Sequence, residues 1–246
     1  MNNVHTLDNN YNLSVKKANY LINLSTKHKY LYSETPKVAC STVKKTLQKI
    51  EVRGTGCELG IVHKKNESPL LSPSDLHDGE FEKVLTNEEY FKFSFVRNPF
   101  SRILSAYLDK IVINEWEKKR HYPKLGFDLN DEVEFIDFLK RIMVMPPVDM
   151  DIHFCPQSTL IGYNRVQLDF IGKFENMTYD FNNVLYKISK LNNIEIEPIE
   201  DVRNHQVGAN KKIEQYYEDG HIIDIVRKKY KDDFENFFYY DDPMFV

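Results

Sequence analysis

The sequence predicts an α/β fold, a mainly parallel sheet flanked by helices. Three observations carry that prediction. Two stretches, Lys29–Ile50 and Phe91–Lys110, each read as a strand, a tight loop and a helix. Short apolar runs alternate with helical periodicity along the rest of the chain, as parallel strands joined by crossover helices require. The chain has 246 residues, 41% hydrophobic and 13% aromatic, which suits one sizeable core and excludes a disordered chain.

In chain order, residues 1–12 are polar and expected to be flexible. Leu13–Leu24 reads as a short helix. Tyr30–Ser33 is aromatic and apolar enough for a buried strand, and Pro36 stops it. Ser41 or Thr42 then caps a helix to about Val52, with Val43, Leu47 and Ile50 on one face. Gly54 and Gly56 signal a turn. Leu59–Asp78 is polar and punctuated by proline, a long loop of the kind that often carries function. Ser74 and Asp75 signal a helix start, with Phe81, Val84 and Leu85 apolar.

Phe91, Phe93 and Phe95 alternate with Lys92 and Ser94, so Phe91–Val96 is a strand. Pro99 suits the first turn of a helix that runs to about Lys118 and carries Ile103, Leu104, Tyr107 and Ile111 inward. Trp116–Asn130 reads as a connection. An amphipathic helix starts at Asp131 and breaks at Pro146-Pro147. Leu168–Phe174 reads as a buried strand, and Thr178 caps a helix to about Leu191. A polar loop over 201–212 and a last helix from about His221 to Phe237 follow. No repeat or low-complexity segment appears, so 1–246 reads as a single domain.

The loop Pro36–Thr42 offers what a bound phosphate or sulfate needs. Amides at a helix N-terminus point outward and the helix dipole favours an anion, while Ser41 and Thr42 donate hydrogen bonds and Lys37 brings charge. It is not the glycine-rich phosphate loop, because no Gly occurs between Tyr30 and Arg53. On spacing alone, a capped helix with a surface lysine explains these residues equally well. The second junction repeats the theme: Arg97 leaves a strand, and Ser105 lies eight residues on, two turns into the helix.

Together, Pro36–Thr42 and Phe95–Tyr107 resemble the nucleotide-binding signature of sulfotransferases that use 3′-phosphoadenosine 5′-phosphosulfate (PAPS). The nearest resemblance is to the carbohydrate sulfotransferases that include the chondroitin and dermatan enzymes and their soluble bacterial relatives. It runs from about Tyr30 to the end and extends to Asp151–Glu175 and Arg227–Tyr240. It implies a P-loop-like sulfotransferase fold, PAPS as donor, its bisphosphate PAP as product, no metal, and a carbohydrate hydroxyl as acceptor. It implies that the loop Lys37, Val38, Ala39, Cys40, Ser41 and Thr42 grips the 5′-phosphosulfate, and that Arg97 and Ser105 grip the 3′-phosphate.

Sulfuryl transfer needs a cation for the leaving phosphate oxygen, donors for the phosphosulfate and a base for the acceptor hydroxyl. Lys37 fits the first role and Ser41 with Thr42 the second. Lys44 shares a helix face with Lys45 and Lys49 and reads as solvated. For the base, His63 matches the family pattern and is preferred. His77 is the second choice, from its spacing to Arg97 in other branches of the family. Glu58 and Glu67 stay open as carboxylate alternatives. His153, in His153-Phe154-Cys155-Pro156-Gln157, matches a family position, and the resemblance implies that it lines the acceptor pocket or holds a loop. Trp116, His121 and Tyr122 make either a sugar platform or ordinary packing.

Two other readings compete. A kinase-like phosphotransferase would need magnesium carboxylates near the loop, and no strand ending in Asp supplies them. A non-catalytic nucleotide or glycan binder would fit a degenerate site, yet all the expected nucleotide-site residue types are present. The formal net charge of −4 gives no indication of a general polyanion-binding surface, so any anion site must be local and no nucleic acid partner is expected. Three widely spaced cysteines, Cys40, Cys57 and Cys155, argue against a disulfide framework and a zinc site and suggest a reducing, cytoplasmic setting. No segment approaches the length and apolarity of a membrane span or a signal peptide.

Overall fold

Alternation of large and small residues builds a four-stranded sheet. The strands are β1 (Ile22–Ser25), β2 (Tyr30–Ser33), β3 (Phe91–Val96) and β4 (Phe170–Lys173), in that spatial order. β1 pairs antiparallel with β2, and the other two pairings are parallel, with Tyr32 opposite Phe93 and Phe95 opposite Gly172. The computed structural model describes residues 3–200 and 209–246. These fall into two compact units, one within Met1–Val96 and Thr159–Val202, the other within Arg97–Ser158 and Arg203–Val246.

The first unit holds the sheet. Tyr30, Tyr32, Phe91, Phe93 and Phe95 share one face, and Tyr32 stacks on Phe93 with ring centroids 5.3 Å apart. Two helices cover that face, α3 (Cys40–Glu51) through Val43 and Leu47, and α9 (Met177–Asn192) through Phe181, Val184 and Ile188. Phe93 and Phe95 are fully buried, each contributing about 2–3 kcal/mol through the apolar surface removed from water. The opposite face is buried too. Ser94 donates to the Ser33 carbonyl at 2.7 Å, and the Lys92 ammonium donates to the Asn87 and Tyr90 carbonyls. An alternating strand therefore need not be half exposed when its polar side chains find backbone acceptors.

Several boundaries depart from the sequence reading. The polar N-terminus carries a helix, α1 (Asn3–Tyr11), which buries Leu7 and Tyr11. The helix expected to Leu24 stops at Leu21 as α2 (Val15–Leu21), and its last residues become β1, held by pairing with β2. The long loop Leu59–Asp78 contains two 3-10 turns. The second, Pro73–Asp75, carries the capping box expected of a helix, while α4 (Glu80–Thr86) starts at Gly79 instead. β4 is an edge strand, only half buried apart from Gly172.

The second unit is helical. α5 (Pro99–Tyr107) is capped by Asn98 and continues as a π-helical turn over Leu108–Ile113. The expected single helix breaks at Asn114, whose side chain accepts from the Trp116 and Glu117 amides and so starts α6 (Glu115–Leu125) inside the predicted connection. A side-chain cap outcompetes helix continuation there. α7 (Phe135–Val144) ends before Pro146, as expected. The short α8 (Gln157–Leu160) follows, α10 (Ala209–Tyr216) begins inside the predicted polar loop, and the predicted last helix is two, α11 (Gly220–Lys229) and α12 (Lys231–Asn236). The polar loop predicted over 201–212 lies outside the described residues as far as 208.

Candidate nucleotide site

In the first unit the segment after β2 bends into a cradle. Lys37 and Ala39 both adopt the left-handed conformation, at φ 70° and 50°. Neither is glycine, so the pair costs on the order of 2 kcal/mol of backbone strain. Between them Val38 is fully buried in the aromatic core and pins the loop. Left-handed residues beside a helix start turn successive amides to one side, an arrangement that binds anions. Ala39 is the N-cap of α3 and has no side-chain cap bond, so the expected Ser41 or Thr42 cap is not formed. Both hydroxyls lie instead in the first turn.

Ser41 is engaged by His63, whose Nε2 lies 2.7 Å from Ser41 Oγ. The long loop reaches α3 because Gln48 donates to the Val62 carbonyl and Ser68 hydroxyl, both at 3.2 Å. The Lys65 ammonium anchors its next turn on the Ile22 carbonyl at 2.5 Å, and burial holds its pKa down to about 8. His77 is exposed; its amide donates to Glu80 and its carbonyl accepts from Asn3. Glu58 is also exposed, and Glu67 pairs with Lys64. Among the proposed bases the structure thus joins His63 to the loop.

Beneath the loop lie two charges the sequence did not reveal. Glu34, 1% exposed, pairs with Lys44 Nζ at 2.8 Å and faces His63 Nδ1 at 3.9 Å. Lys44, expected to be solvated, is 2% exposed and also lies over the Tyr20 ring. Its place in the second turn of α3, one residue after the inward Val43, points it under the loop. Cys40 is half buried, and desolvation together with the Glu34 charge pushes its thiol up to about 12. Glu34, Cys40 and His63 could together offer three ligand atoms to a metal. A protonated thiol and a carboxylate already paired with lysine make a poor donor set for one.

In the second unit Arg97 follows β3 and is 6% exposed. Gln157 clamps its backbone, accepting from the amide and donating to the carbonyl at 2.8 Å each. Asp233 in turn accepts from the Gln157 and Ser158 amides at 2.7 and 2.8 Å. This explains Pro156-Gln157 physically: the pair starts α8 and delivers an amide to the strand exit. Arg97 Nε donates to Ser101 Oγ at 2.9 Å, and Ser105 follows one turn later on the same helix face. Ser101 was missed, although Arg97, Ser101 and Ser105 recur at a four-residue spacing that is readable in the sequence.

His153 is held by Asp151. Its Nδ1 lies 2.6 Å from Asp151 Oδ1, and its ring meets His121 edge to face. Burial alone would raise the Asp151 carboxyl, but the His153 hydrogen bond and neighbouring charge outweigh it and hold it well below the usual range. His121 and Tyr122 are buried, so of the proposed sugar platform only Trp116 is exposed. His121, Asp151 and His153 form the second group of possible metal ligands among the described residues.

The model of the Sulfotransferase family matches residues 21–240. The chain belongs to the sulfotransferase family. It is 33% identical over 173 residues to mouse carbohydrate sulfotransferase 14, covering 66% of the chain and 45% of that protein. It is 28% identical over 210 residues to mouse carbohydrate sulfotransferase 8, covering 78% and 49%, and 38% identical over 181 residues to human carbohydrate sulfotransferase 10, covering 65% and 50%. The chain thus spans about half the length of these curated relatives. No solved structure matches it significantly. Among the described residues no helix is long and apolar enough to cross a membrane.

Proposed function

We propose that this chain is an enzyme that transfers a sulfuryl group from PAPS to a hydroxyl of a carbohydrate, working as one domain with a P-loop-like nucleotide site. The observation that carries the reading is the strained loop Lys37–Ala39 at the start of α3. A fold keeps two left-handed non-glycine residues there when the conformation serves something, and turned amides beside a lysine suit a phosphosulfate. The residues of the two junctions fit the nucleotide. Lys37, the amides of Val38 to Thr42 and the hydroxyls of Ser41 and Thr42 would hold its 5′-phosphosulfate. Arg97 and Ser105, with Ser101 seating the guanidinium, would hold its 3′-phosphate.

The donor supplies the sulfuryl group. Lys37 neutralises charge on the leaving phosphate oxygen as the sulfur–oxygen bond breaks and the acceptor oxygen bonds to sulfur. When Ser41 turns its hydroxyl to the phosphosulfate, His63 Nε2 is released to take the acceptor's proton. The chemistry asks nothing of a metal. The acceptor reading rests on the names of the relatives, all carbohydrate sulfotransferases, with His153 proposed at the acceptor. Three free cysteines, Cys57 exposed, support a reducing cytoplasmic setting.

Calorimetric titration with PAP beside ATP and Mg²⁺ tests the reading. PAP should bind and ATP should not compete, and Arg97→Ala should weaken PAP by roughly 10- to 100-fold, the loss of a charged hydrogen-bond partner. A preference for ATP with Mg²⁺, or PAP binding indifferent to Arg97, refutes it.

A further inference from the structure

The buried Glu34–Lys44 pair beneath the loop adjoins the proposed base. We infer that Glu34 is the positioning residue for His63, a buried carboxylate that keeps the Nδ1 proton on its own side so that Nε2 faces Ser41 and the acceptor. The inference rests on the sulfotransferase reading above and adds a residue to it.

The geometry has three parts. The two imidazole nitrogens meet different partners, Nδ1 toward Glu34 Oε1 at 3.9 Å and Nε2 against Ser41 Oγ at 2.7 Å. The ring edge carrying Nδ1 therefore faces an anion and the other a hydroxyl. An anion favours an N–H and a hydroxyl can donate, so the neutral ring takes the Nδ1–H form with Nε2 as acceptor. The 3.9 Å separation is an ion-pair distance rather than a hydrogen bond, and such contacts tighten when substrate closes a site.

Second, the placement of Glu34 suits this role. It leaves β2 one residue after Ser33, is 1% exposed, and its other oxygen meets Lys44 Nζ at 2.8 Å. Lys44 cancels the cost of burying the carboxylate while leaving Oε1 directed at the imidazole. Third, the remaining charged and titratable groups around this corner are accounted for. Cys40 stays a thiol, hydrogen-bonded to Glu34. Lys65 is anchored on the Ile22 carbonyl and Asn23 Oδ1. Lys37 carries the next positive charge along the loop. Glu34 is thus the carboxylate that faces His63.

The test reads the His63 ring nitrogens by ¹⁵N NMR and, separately, turnover against pH. Glu34→Gln alone strands Lys44 and destabilises the corner, so Glu34→Leu/Lys44→Met is made beside it, replacing both partners by apolar groups of similar size. Wild type should show neutral His63 as the Nδ1–H tautomer, and the double variant should lose that bias. The double variant should also lose at least about tenfold in kcat, with PAPS KM within about twofold, as removal of an orienting carboxylate does. A tautomer unchanged in the folded double variant overturns the inference. So does unchanged kcat in a protein whose wild type transfers sulfate. A wild type without sulfuryl transfer, whose tautomer still depends on Glu34, refutes the reaction assigned above while supporting the coupling.

Discussion

Gln157→Glu replaces one atom and tests the clamp on Arg97. The side chain is fully buried, with Oε1 accepting the Arg97 amide and Nε2 donating to its carbonyl, each at 2.8 Å, while Nε2 also lies 3.4 Å from Asp233 Oδ2. The substitution keeps the acceptor and turns the donor into an oxygen. Loss of the donated bond costs about 1 kcal/mol, and an ionised oxygen between a carbonyl and a buried carboxylate adds the cost of an uncompensated charge, for a total of about 3–5 kcal/mol at pH 7. Protonation restores a donor. The introduced carboxyl therefore has a folded-state pKa above its unfolded value of about 4.3, so the variant matches wild type below that value and loses stability as pH rises through the folded pKa. Urea unfolding of both proteins at pH 4.5 and pH 7 measures this. The gap should be small at the lower pH and several kcal/mol at the higher, and PAP binding at pH 7 should weaken in parallel. A gap below about 1 kcal/mol at pH 7, or one that does not change with pH, refutes the clamp.

His63→Ala should lower kcat for sulfuryl transfer by at least about 100-fold while His77→Ala stays within about twofold; the opposite ranking would move the base to the exposed histidine. Gly172→Ala should destabilise the sheet by about 1–3 kcal/mol, because a Cβ there would sit 2.4 Å from the Phe95 ring and 3.1 Å from Asp180 Cβ. A variant with unaltered urea midpoint would show that the ring has room to move. Burial lowers His121 to about 4, so between about pH 6.5 and 4 the unfolded chain binds the proton that the native state refuses. Stability should fall by on the order of 3 kcal/mol as pH drops through that window, and urea titrations of His121→Asn should lose that part of the slope.

Both strand-to-helix junctions could be read from the sequence because a strand, a breaker and a helix start follow one another within a few residues, and local patterning decides each. β2 and β3 lie where the aromatic alternation puts them, and Arg97 and Ser105 lie at their expected junction. Patterning failed where a nonlocal partner decides. Ile22–Ser25 has helical neighbours and becomes a strand because β2 pairs with it. Lys44 sits among lysines on a helix and is buried because Glu34, ten residues earlier, meets it there. The caps show the same division, since Asn98 and Asn114 act through their own next amides, whereas Ser41 is taken by His63 from a loop twenty-two residues away.

What the sequence by itself determined is therefore the class of the fold, the two strand-to-helix junctions and the residue types a phosphosulfate needs, all properties of neighbouring residues. The tertiary structure alone decided which histidine meets the loop, that two non-glycine residues hold the left-handed turn, and that a buried carboxylate and Asp233 stand behind His63 and Arg97. Those choices depend on groups far apart in the chain whose proximity comes only from burial of the aromatic sheet and the helices packed around it, which no local pattern records.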